Sequence, residues 1–122
     1  MKNTLLAGWF ALAGLGTLRA QSLPKDKQQH FAVGACLAGT TYITAYDQYY
    51  IGGKSRTESH RLASRWAIGV SVAAGLGKEL YDGLIHRDPT WTLNDSVWDL
   101  VATSLGGISV VIVIDAGTPT RR

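Results

Sequence analysis

A chain of 122 residues holds one domain at most, and a formal charge of +3 without a basic, aromatic-studded stripe excludes nucleic acid as the obvious partner. The single cysteine, Cys36, excludes an internal disulfide and a cysteine-based zinc site. Fourteen glycines against three prolines lie inside apolar runs, a pattern of close helix packing and not of flexible linkers.

The chain opens with Lys2 and Asn3 before an apolar stretch, Leu5 to Gly16, and Leu18-Arg19-Ala20 then leads into polar Gln21. This is the layout of a secretory signal cut after Ala20, with an uncleaved anchor helix over 1–20 as the alternative. The remainder, 21–122, reads as a single helical domain with helices over about 28–46, 62–83 and 95–114.

Pro24 or Asp26 supplies the start of the first helix. From His30 to Tyr46 the chain is uncharged, with small residues four apart at Gly34 and Ala38 and at Ala35 and Gly39. Cys36 among them reads as a small buried side chain. The polar stretch 47–61 reads as a loop. In the second helix two small-residue stripes stand out, Gly69–Ala73–Gly77 and Ser71–Gly75–Glu79. Thr92, three residues before Asp95, marks the last helix start as a capping box. Asp95, Asp99, Thr103 and Gly107 keep a spacing of four, which favours one continuous helix across Gly106-Gly107 over a helix followed by a strand.

Alternating chain direction brings the polar groups to one end. His30 opens the first helix, Glu79 and Asp82 close the second, and Asp95 and Asp99 open the third. Ionisable groups at or within spanning segments are costly and tend to mark a function. Two readings follow. In one, the cluster packs the helices or serves interaction with other envelope proteins or a second copy. In the other, His30, Glu79, Asp82, Asp95 and Asp99 hold a divalent metal such as zinc or manganese. That metal would activate water against a lipid or envelope precursor, with His30, Glu79, Asp82 and Asp99 as catalytic candidates and Lys27 and Lys78 countering ligand charge. Basic residues crowd one connecting loop (Lys54, Arg56, Arg61), which the positive-inside rule places in the cytoplasm and the cluster outside. The expected partner of the outer faces is membrane lipid, with a soluble periplasmic or outer-membrane-associated domain as the alternative.

Three motifs in order, Asp26-Lys27-Gln28-Gln29-His30-Phe31, Gly77-Lys78-Glu79-Leu80-Tyr81-Asp82 and Asp99 to Gly107, resemble the YfiM-like family of small bacterial envelope proteins. The chain lacks the lipobox cysteine of those predicted lipoproteins. A fainter similarity runs to VanZ-like membrane proteins, which also show an aspartate-lysine-x-x-histidine start and a helix-borne glutamate. Both resemblances imply an envelope address, and neither implies a catalytic residue.

Overall fold

The computed structural model describes residues 24–87 and 89–117, so the expected signal or anchor segment, 1–20, lies outside the described residues. These residues form three long α-helices: α1 (Lys25–Ile51), α2 (Arg56–Leu80) and α3 (Leu93–Gly117). A π-helical turn (Tyr81–His86) prolongs α2, and no strand occurs among the described residues. The protein is the small all-α bundle that the glycine-rich sequence implies.

Local chemistry sets the ends. Pro24 precedes α1 in an extended conformation, and its carbonyl accepts from the Gln28 N–H at 3.1 Å. A proline there costs nothing, because no intrahelical partner awaits its missing N–H. α1 stops at Gly52-Gly53, where Gly53 turns left-handed at φ 88°. Ser55 then caps α2 by accepting from the Glu58 N–H at 3.2 Å. The loop expected over 47–61 therefore shrinks to residues 52–55. Polar residues on an exposed helical surface mimic a loop, and the Ser55 cap on the Glu58 N–H marks the true restart. Thr92 caps α3 as the sequence implies, its hydroxyl accepting from the Asp95 N–H at 3.3 Å. α3 starts two residues earlier than expected and runs unbroken through Gly106-Gly107.

All three helices touch each other, with α2 antiparallel to α1 and α3. Closeness is the reason for the glycines. A β-carbon at Gly34 would collide with the Thr103 carbonyl, and one at Gly106 with the Phe31 carbonyl. The Ser71 hydroxyl donates to the Gly34 carbonyl across the α1–α2 contact at 2.9 Å. The inward face of α2 is Ser59–Ala63–Ala67–Ser71–Gly75, an extension of one expected stripe. The other stripe, Gly69–Ala73–Gly77, faces outward: Gly69 and Gly77 have no neighbouring atom where a β-carbon would stand. Sequence period fixes which residues share a face, not which face meets a partner. Cys36 is likewise exposed, not buried.

The interior is made of small side chains. Ala38, Ala67, Val110 and Val111 form the apolar centre, while Ser59, Ser71, Asp99 and Thr103 are buried beside it. Large apolar residues point out, among them Val33, Trp66, Leu80, Trp98, Leu105 and Ile112.

Two glycine substitutions separate these faces. Gly106→Ala should destabilise the bundle strongly, by about 1–3 kcal/mol or more, because the backbone of α1 must retreat. Gly69→Ala should be neutral or stabilise by up to about 1 kcal/mol, since it gains helix propensity in open space. Thermal unfolding of the purified protein, followed by circular dichroism, checks both, and equal effects would contradict the packing.

Candidate functional site

The small faces that let α1 and α3 approach also set the polar end. Lys27 lies one turn before His30 on α1, and Asp99 lies one turn before Thr103 on α3, so the two helices present these four side chains to each other. The Lys27 ammonium meets three carboxylates: Asp26 at 3.0 Å, Asp95 at 2.6 Å, and Asp99 in a short contact through Oδ1. Lys27 and Asp99 are nearly buried there, at 12% and 9% side-chain exposure. Burial strips water from the ammonium and works against its charge, yet the hydrogen bonds to Asp95, Asp99 and Asp26 outweigh that loss. Its pKa is held above the ordinary lysine value. The same contact holds the Asp26 carboxyl below its usual range.

The second oxygen of Asp99, Oδ2, faces His30 Nε2 at 3.2 Å and the Lys78 ammonium at 3.9 Å. His30 Nδ1 lies 3.2 Å from the Thr103 hydroxyl. That hydroxyl donates to the Asp99 backbone carbonyl at 2.9 Å. Lys78 also pairs with Glu79 at 3.1 Å and with Asp82 at 2.8 Å.

The structure therefore gathers His30, Glu79 and Asp99, with one ligand atom of each within 4.8 Å of the others. Asp95 joins a separate group with Asp26 and Asp99, the one that surrounds Lys27. Asp82 stands at the edge, tied to Lys78. Both lysines, expected to counter charge on a ligand, instead neutralise the cluster's own carboxylates. Five acids against two ammonium groups leave this end anionic.

At the opposite end lies a clasp that the sequence reading missed. The Tyr42 hydroxyl is 2.6 Å from His60 Nδ1, and His60 Nε2 makes a short contact with Asp115. One residue comes from each helix. His60 falls in the stretch expected as a loop, 47–61, and Asp115 just past the expected end of the last helix at 114. The available signal was the tyrosine spacing: Tyr42, Tyr46 and Tyr50 stack with ring centroids 5.9 and 6.0 Å apart, which needs α1 to continue to Tyr50.

Comparisons with protein-family models, curated proteins and solved structures give no match to this chain.

Breaking a buried ion pair from one side leaves an uncompensated charge, at a cost of about 3–5 kcal/mol. Lys27→Met should lower stability by that order, and adding Asp99→Asn should restore much of the loss. Because Lys27 holds its proton more tightly folded than unfolded, its contribution is complete below about pH 10.4 and fades as pH rises through the folded value. Melting curves of the wild type and both variants from neutral to strongly alkaline pH check this; a wild type indifferent to alkali refutes the stabilising role of the Lys27 ion pairs.

Proposed function

We propose that this chain is an integral membrane protein of the bacterial cell envelope, whose polar cluster locks the helices at the outer lipid boundary and offers an anionic surface for interaction. One observation carries the reading: small and polar residues inside, large apolar residues outside. Water drives large apolar side chains inward, whereas lipid exerts no such force and favours small faces and hydrogen bonds between helices. Among the described residues α3 alone is long and apolar enough by itself to cross a bilayer. α1 and α2 have the length, at 27 and 25 residues, with their polar residues concentrated near the ends.

Further features support this placement. Trp98 and Asp115 are separated by about 26 Å of helix, near the about 30 Å of a hydrocarbon core. The Trp66 indole donates to the Tyr49 hydroxyl at one level, and exposed Trp91 and Trp98 mark the other, as interfacial belts do. The likeness of three motifs to YfiM-like proteins points to the same address. The packing role is favoured over hydrolysis because both lysines already engage the carboxylates that water activation would require.

The exposed Cys36 tests the membrane reading, since it stands on the outer face of α1 about 9 Å along the helix from His30. In native membranes a water-soluble maleimide should label it slowly, and after unfolding rapidly. Alkaline carbonate should leave the protein in the membrane pellet. Fast native labelling together with carbonate release would establish a soluble or peripheral domain instead.

A further inference from the structure

The hydrogen-bond directions around His30 lead beyond packing. The Thr103 hydroxyl has one proton, and it goes to the Asp99 carbonyl. With its proton so placed, that oxygen accepts from Nδ1, one of the two tautomers open to His30 at this contact. In neutral His30 this leaves a bare lone pair on Nε2, 3.2 Å from a carboxylate oxygen of Asp99. Two lone pairs at that distance repel unless a cation, proton or metal, lies between them. Ligands about 2.0–2.1 Å from a tetrahedral zinc ion stand about 3.3 Å apart, which is the separation these two atoms already have.

A third ligand converges there. Glu79, from α2, brings a carboxylate oxygen within 4.8 Å of one ligand atom each of His30 and Asp99. The positive group now nearest to this space is the Lys78 ammonium, 3.1 Å from Glu79 and 3.9 Å from Asp99. Lys78 is 46% exposed, so its long chain can swing to Asp82 or to solvent. A second observation points the same way. The Ser96 hydroxyl is buried without a hydrogen-bond partner, on the α3 stripe that carries Asp99 and one turn nearer the helix start. It shares the buried face of α3 with Asp99 and Thr103, two residues of the cluster.

We propose that His30 Nε2, Glu79 and Asp99 Oδ2 form a binding site for one divalent cation of the zinc or manganese kind, with Lys78 as its built-in competitor. Nitrogen with two carboxylate oxygens suits these ions, and three protein ligands leave a position open to water. Thr103 serves as the outer partner that orients the imidazole, as hydrogen-bonded groups behind histidine ligands generally do. Lys27 stays on the other oxygen of Asp99 throughout. The site rests on the cluster geometry alone and holds equally for a bundle in lipid or in water.

Equilibrium dialysis of the purified full-length protein against zinc and against manganese tests it, with metal per chain measured by elemental analysis. The expected result is one ion per chain. Lys78→Met should bind about tenfold tighter or more, and His30→Gln about tenfold weaker or more. Circular dichroism establishes that each variant is folded. If His30→Gln does not fold, Glu79→Gln takes its place with the same expected loss. Saturable binding in neither wild type nor Lys78→Met at millimolar metal overturns the site and assigns a proton to Nε2. Unchanged affinity in Lys78→Met, or in a folded ligand variant, overturns it as well.

Discussion

The closeness of α1 and α3 governs the rest of this structure. The two helices meet where Gly34 faces the Thr103 carbonyl and Gly106 faces the Phe31 carbonyl, positions with no room for a side chain. At that separation the short hydroxyl of Thr103 reaches the His30 ring, and Lys27 reaches Asp99, each one helical turn from the glycine contact. With larger residues at those two positions the polar groups would stand too far apart for direct contact. The glycines are thus a precondition of the cluster, although none of them takes part in its chemistry.

Electrostatics then decides what the cluster can be. Asp99 is nearly buried and receives Lys27 on one oxygen and His30 on the other. A carboxylate in such surroundings needs both partners, since desolvation penalises any charge left alone. The two lysines are not equivalent. Lys27 is enclosed by three carboxylates and is fixed, while Lys78 lies half in solvent and divides its contacts. One charge belongs to the architecture; the other is exchangeable. That asymmetry makes the Glu79 side of the cluster the place where an outside cation can compete.

Much of this was legible in the sequence. Helix number, the alternation that stacks His30, Glu79 and Asp99 at one end, the Thr92 cap and the continuity of α3 all follow from spacing and capping chemistry. Other features were not. Residues 47–61 look like a loop because an exposed helical surface and a loop share a polar composition, and only the Ser55–Glu58 pair breaks the tie. The outward turn of Gly69–Ala73–Gly77 and of Cys36 depends on which side of a helix its neighbours occupy, and periodicity carries no such information. The role of Lys27 was hidden for a related reason, since a lysine beside an aspartate in a first turn is ordinarily solvated.

The two polar ends also answer a problem that the small interior creates. Alanine, serine and glycine faces allow close approach but interlock weakly, and in the middle of the bundle the Ser71–Gly34 hydrogen bond is the directional contact between α1 and α2. The Lys27–Asp99–His30 contacts fix α1 against α3 at one end. The Tyr42–His60–Asp115 chain joins all three helices at the other. Each is directional, and a slip of one residue along either helix would move its groups out of hydrogen-bond range. Between them lies the apolar layer of Ala38, Ala67, Val110 and Val111, which keeps the two polar ends separate. Register in this bundle is therefore set by polar contacts, at its two ends and at Ser71–Gly34, and closeness by the small residues between them.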